Sequence, residues 1–224
     1  MPKIELLNGR LKEANKVDWM EMSLRDFQSA LASSSPTPGG GTASAVALGQ
    51  AAALTCMVAD LTIGKEKWKE GWGCAEKSQI IAIKIFTKSG ELAKQDSDSF
   101  DKVMECFKMP KNNDEEVKAR REAIRNATLN AALVPLDTAK LALELLEVLP
   151  ELAKKGNANA VSDVGVASLL ASAAAKGALF NVDINLGSLP EDMIGNLSNE
   201  SNEILEKSRL LSKDSIQNVR NRLI

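Results

Sequence analysis

Three short stretches of this chain hold side chains that could do chemistry: "PTPGGGT" at 36–42, "KQDSDSFDKVM" at 94–104 and "GNANAVSD" at 156–163. What they can do is bounded by a zero, since the 224 residues contain no histidine. The side chain that usually moves protons near neutral pH is missing, so acid–base work falls to carboxylates, lysine, hydroxyls or bound water. Triads of the serine–histidine type are excluded. Three scattered cysteines, Cys56, Cys74 and Cys106, form no Cys-x-x-Cys pair and read as small buried hydrophobes in a reducing compartment. Without imidazole they make the common zinc sites very poor candidates, and no metal is expected.

The glycines at 39–41 invite a phosphate-loop reading, and the context rejects it. A Walker loop needs Gly-Lys-Ser/Thr after a strand, whereas Gly41 is followed by Thr42-Ala43 and preceded by a helical pattern. The dinucleotide fingerprint fails for the same reason. Two readings remain. Glycines let a backbone approach a ligand, and the free N–H groups of a helix opening near Thr42 favour an anion or a developing negative charge. Alternatively the run is a tight connection between helices. On the first reading a side chain at Gly40 closes the approach.

Asp96 and Asp98 are not equivalent. On a helical projection Asp96 shares a face with Leu92, Phe100 and Val103, while Asp98 falls with Lys94, Asp101 and Lys102. A carboxylate on an apolar face is costly unless partnered. Asp96 is therefore structurally paired, reaches water at a helix end, or is kept for function. Asp60 and Lys65, at the end of the preceding apolar helix, are its candidate partners. In the third stretch, Ser162 and Asp163 suit a helix cap, but Asn157 and Asn159 exceed what one cap requires. An elaborate cap and a polar site both fit.

The elements that must hold these groups are helices throughout. "SLRDFQSALA" opens on a capping box with Asp26 in the place of Glu. A long helix is predicted from Cys74 to Lys108, weakened at Gly90. Asp114 is expected to cap the next, which Pro135 bends or breaks before it continues to a stop at Gly156. The segments Thr42 to Leu61 and Val164 to Phe180 lack a polar face and should lie at the centre of a bundle. The run from Gly39 to Ala59 is uncharged and long enough to span a bilayer, yet it is built from Ala, Gly, Ser and Thr without flanking basic clusters. A buried helix is the expectation, not a membrane span. The tail from Pro190 to Ile224 is amphipathic, with Ile194, Leu197, Ile204, Leu205 and Leu211 as its apolar contacts. Alternating strand patterns are absent, so the fold class is all-α, a multihelical bundle with buried central helices. A net charge of -2 and no basic run argue against nucleic acid. A cytoplasmic location is expected.

In this order the motifs "PTPGGGTASAVALGQAAALTCMVADLTIGK", "DSDSFDKVMECFKMPK", "VPLDTA" and "GNANAVSDVGVASLL" with "NVDINL" resemble the cyclodeaminase/cyclohydrolase family of folate enzymes over nearly the full length. The familiar family form Gly-Lys-Lys-Lys-Tyr is here Gly64-Lys65-Glu66-Lys67-Trp68. The resemblance implies one such helical domain over 1–224, a homodimer, and a tetrahydrofolate carrying a one-carbon unit as substrate, with no other cofactor. It implies conversion of 5-formiminotetrahydrofolate to 5,10-methenyltetrahydrofolate and ammonia, or interconversion of methenyl and 10-formyl forms with water. The deaminase is placed first, the cyclohydrolase second, and a non-catalytic folate-binding or scaffold protein third. No formiminotransferase segment is read in this chain, so a formimino substrate would come from another polypeptide. Asp96 is assigned proton transfer, with Asp163 as runner-up and Lys65 in support. Pro38, Gly39, Gly40, Gly41, Thr42, Lys67, Asn159 and Ser162 are expected to bind substrate in one pocket, within a subunit or across two.

Overall fold

The computed structural model describes residues 18–223. Residues 1–17 and 224, part of the span expected as one domain, lie outside that range. Among the described residues there are eight α-helices and no strand: α1 (Leu24–Leu31), α2 (Gly40–Thr62), α3 (Trp72–Phe107), α4 (Asp114–Leu146), α5 (Leu149–Lys155), α6 (Val161–Leu186), α7 (Glu191–Ile194) and α8 (Leu197–Arg220). The all-α bundle read from the sequence is what forms.

The two helices without a polar face sit where that composition requires. α2 packs on α3 and α6, and α4 and α8 close over α6. By length and composition alone α2 and the stretch containing α6 could each cross a membrane. Here Leu48, Ala51, Ala52 and Val58 of α2 share one fully buried core with Ala167, Ala171, Ala174 and Ala175 of α6. Small side chains let the axes approach closely. Ser44 of α2 stands where a Cβ on Gly177 of α6 would lie, and Gly49 of α2 faces Ser89 of α3 in the same way. The neighbours run antiparallel to α2: Gly41 meets Asp96 of α3 and Gly40 lies near Asn181 of α6, both far along their helices.

Local signals mostly behave as their chemistry dictates. Ser23 caps α1, accepting from the Asp26 N–H at 3.1 Å while its hydroxyl donates to Asp26 Oδ2 at 2.7 Å. The cap of α4 falls one residue earlier than expected. Asn113, in extended conformation, accepts from the Glu116 N–H, and Asp114 becomes the first helical residue, where its charge complements the N-terminal dipole. α3 runs through Gly90 without a break, and the missing Cβ there makes room for Met20.

Pro135 neither ends nor interrupts α4. A proline inside a helix leaves the carbonyl four residues earlier without its donor, here that of Ala131. Asn185 of α6 supplies one from outside, its Nδ2 donating to Ala131 O at 2.9 Å. The expected break is cancelled by tertiary repair. Asn185→Leu should therefore destabilise the fold by about 1–3 kcal/mol, the cost of an unsatisfied buried acceptor. Chemical denaturation of parent and variant measures it; an unchanged midpoint would mean that water already serves Ala131.

Candidate active site

Asp96 is half-buried and Asp98 is exposed, as the helical phase requires.

 
The Asp96 carboxylate reaches from α3 across to the first turn of α2, where the Thr42 hydroxyl donates to its Oδ2 at 2.9 Å. Gly39, the N-cap residue of α2, has no side chain to cap that turn, and the Asp96 carboxylate stands in from the neighbouring helix at the Thr42 backbone N–H. Its partner is thus Thr42. Asp60 and Lys65, the expected partners, lie at the other end of α2, where Asp60 accepts from Gln79 Nε2 instead. Phe100, expected beside Asp96 on the buried face, is 38% exposed.

Burial pushes the Asp96 carboxyl above the ordinary aspartate range, and the hydroxyl and backbone N–H of Thr42 pull partly in the opposite direction. A carboxyl held in this way is a stronger base than an ordinary aspartate and can accept a proton and return it. Gly41 leaves it the room. A Cβ at Gly41 would stand 2.1 Å from Asp96 Oδ1, whereas one at Gly40 would make ordinary contact at 3.7 Å from Asn181 Nδ2. The constraint falls on Gly41, not on Gly40. The glycines expected to form a loop ahead of the helix instead begin it, with Gly40 and Gly41 in the first turn of α2. Pro38 is buried beside them.

The remaining predicted site residues are elsewhere. α2 has 23 residues and so is about 34 Å long. Lys65 and Lys67 follow its C-terminal end, and Asn157 ties the start of α6 to that same end, donating from Nδ2 to Leu61 O at 2.8 Å and from its backbone N–H to Thr62 Oγ1 at 2.9 Å. Asn157 also accepts from the Asn159 N–H, so part of the polar cluster is a cap and a tether. Asn159 and Ser162 are exposed and Asp163 is half-buried. Lys67 stands 4.8 Å from the Trp68 ring and helps line a cavity of about 520 Å³ in which Lys69, Lys154, Lys155 and Arg222 outnumber Glu66 and Glu70. Within one chain, then, the expected single pocket is two clusters: Pro38 to Thr42 with Asp96 at one end of α2, and Lys65, Lys67, Asn159, Ser162 and Asp163 at the other. The reason is that α3 and α6 both run antiparallel to α2, which sends residues close in sequence to its two ends apart.

Sequence reasoning missed three residues at the Asp96 end. Ser97 Oγ lies 3.0 Å from Thr42 Oγ1, and Trp19 Nε1 donates to Ser97 Oγ at 3.0 Å. Asn181 of α6 borders Gly40. The motif "NVDINL" held a signal for Asn181, an amide that follows directly on the apolar run ending at Phe180. Among the described residues no cluster of three or more potential metal ligands occurs.

A sequence model described as formiminotransferase-cyclodeaminase matches residues 23–203. A methenyltetrahydrofolate cyclohydrolase of Methylorubrum extorquens is 40% identical over 173 residues, covering 75% of this chain and 81% of that protein. A formimidoyltransferase-cyclodeaminase of Mus musculus is 32% identical over 178 residues; the match covers 78% of this chain and 32% of the mouse protein. A crystal structure described as formiminotetrahydrofolate cyclodeaminase from Thermotoga maritima superposes with a TM-score of 0.74 at 30% identity, covering 91% of this chain and 96% of that one.

Proposed function

Because the chain belongs to the formiminotransferase-cyclodeaminase family, we propose that this folate one-carbon enzyme is a methenyltetrahydrofolate cyclohydrolase, adding water to the 5,10-methenyl group to give 10-formyltetrahydrofolate. The observation that carries the choice is the Methylorubrum extorquens cyclohydrolase, 40% identical and matched over 81% of its length. This reverses the order expected from the sequence, where the deaminase stood first. The deaminase remains the second reading, favoured by the Thermotoga maritima structure matched over 96% of its chain.

Both reactions call for one proton-exchanging group, and Asp96 takes that role in this reading. Water adds to the methenyl carbon and gives a proton to the Asp96 carboxylate. The carbon–N5 bond of the adduct then breaks, N5 takes a proton from the Asp96 carboxyl, and the former water oxygen loses its second proton to solvent as the formyl C=O forms. The net yield is 10-formyltetrahydrofolate and one proton. A carboxylate in a largely dry setting also suits the positive charge shared by N5 and N10 of the methenyl substrate. Pro38 to Thr42 would line the reacting end. Lys65 and Lys67 would meet the glutamate tail.

Since those two groups lie at opposite ends of α2, the proposal includes a homodimer. Met57 and Leu61 of α2 and Phe86 of α3 are exposed and border a shallow, mostly apolar cavity of about 440 Å³ with Ala53, Cys56 and Asp60. A second copy packed antiparallel on that face would bring its lysine end toward the Gly40 end of the first.

The test is to incubate the pure protein separately with methenyltetrahydrofolate and with formiminotetrahydrofolate, following methenyl absorbance. Loss of absorbance in the first, faster than without protein, is the expected result. Gain in the second alone would establish the deaminase, and turnover of neither would leave a binding or scaffold protein.

A further inference from the structure

Buried hydroxyls in this bundle usually bond to a carbonyl of their own helix. Thr55, Thr62, Ser78 and Ser215 each donate to the carbonyl four residues earlier. The hydroxyls of Thr42 and Ser97 are both buried and instead bond to each other, between helices. At one end of this pair is the Asp96 carboxylate; at the other is the indole of Trp19, 78 residues away in sequence.

An indole N–H can only donate. With Trp19 donating to Ser97, and Thr42 using its one proton on ionised Asp96, the Ser97 proton is left for Thr42 Oγ1. Every donor then points one way: Trp19, Ser97, Thr42, Asp96. If Asp96 is protonated and donates to Thr42, the chain reverses, Thr42 donates to Ser97, and Ser97 must receive two donors. We propose that Trp19 is a positioning residue for Asp96, its N–H setting the direction of a hydrogen-bond chain through Ser97 and Thr42 that ends on the carboxylate. The assignment of Asp96 to proton transfer rests on the function proposed above; the chain itself does not.

The seat of Trp19 is built for this. Its ring packs edge-on against Phe27 with centroids 6.4 Å apart, and the adjacent Met20 fills the space left by Gly90 of α3. The segment before α1 is thereby fixed across α3, about two helical turns from Ser97. Charged side chains on the surrounding elements, Asp18, Glu21, Asp98, Asp137 and Asp183, are exposed and Lys94 is half-buried. None of them is a cause of the Asp96 displacement, which comes from burial and Thr42. The polar influences on the carboxylate are the Thr42 backbone N–H and the Thr42 hydroxyl, and the hydroxyl is the end of the chain that starts at Trp19.

The experiment reads the Asp96 carboxyl directly. Protein labelled with ¹³C at aspartate carboxyls is titrated by NMR, with Asp96 assigned by the signal lost in Asp96→Asn. Trp19→Phe removes the N–H and keeps an aromatic ring; Ser97→Ala breaks the chain at its second link without touching Trp19. Both should raise the midpoint of the Asp96 titration, by roughly half a unit to one unit. The double variant should go no higher than Ser97→Ala alone, because both act through one chain. The acidic limb of the kcat profile should move with the carboxyl. A Trp19→Phe midpoint equal to or below the parent's overturns the proposal, as does additivity in the double variant. If Trp19→Phe does not fold, an unmoved midpoint in Ser97→Ala overturns it alone. Midpoints that move in a protein that turns over neither folate would leave the chain standing and remove the function.

Discussion

Asp96→Asn should lower turnover by on the order of 10²-fold or more, and Asp98→Asn should leave it near the parent value. An amide keeps the shape of the side chain and can still accept from Thr42, but it cannot exchange a proton with water or with N5. The variant should also fold. Burial raises the Asp96 pKa above its unfolded value, so the stability linked to this group is present below the unfolded pKa and is lost as pH rises through the folded one. At neutral pH the parent holds a charge that the fold disfavours. Asp96→Asn should therefore melt no lower than the parent at pH 7, the pairing of lost rate and kept stability expected of a functional carboxylate. For the parent, a base that must be ionised predicts a rate that falls as pH drops through the raised Asp96 pKa, above the ordinary aspartate range. Steady-state rates and thermal melts of both variants decide the matter. Equal, mild losses would make Asp96 only a cap for α2, and a large loss confined to Asp98→Asn would reject the site.

Gly41→Ala is the second large effect. A Cβ there would lie 2.1 Å from Asp96 Oδ1, 2.6 Å from Cγ and 2.7 Å from Oδ2, closer than such atoms can approach. Either the carboxylate leaves Thr42 or the first turn of α2 shifts. Misplacement by about 1 Å can cost on the order of 10²-fold in rate, and overpacking of this kind about 1–3 kcal/mol in stability. Both losses are expected. Gly40→Ala is the control for stability, because within the chain its Cβ would meet only Asn181 at an ordinary 3.7 Å and the residue is exposed. Thermal melts of the pair and kcat of Gly41→Ala test the claim: a Gly41→Ala enzyme at parent rate would show that the contact between α2 and α3 adapts without moving the carboxylate.

What the sequence by itself determined is what periodicity and composition carry. The apolar runs behind α2 and α6, rich in small residues, read as interior helices of a bundle, and the phase of "KQDSDSFDKVM" separated Asp96 from Asp98 because residues four apart share a face. The absence of histidine narrowed proton transfer to a few side-chain types before any fold was known. Tertiary structure decided the rest. Pro135 read as a break because a sequence shows the lost N–H but not the Asn185 amide that comes from α6 to replace it. Asn157 read as surplus to a cap because its second partner, the end of α2, is 96 residues away in sequence. Trp19 and Ser97 carried no local signal, since a hydrogen bond across 78 residues leaves no periodicity in either segment. The single pocket divided for the same reason. Helical phase says which face a residue occupies, but the antiparallel course of α3 and α6 beside α2 fixes which end of the bundle it reaches, and only packing sets that course.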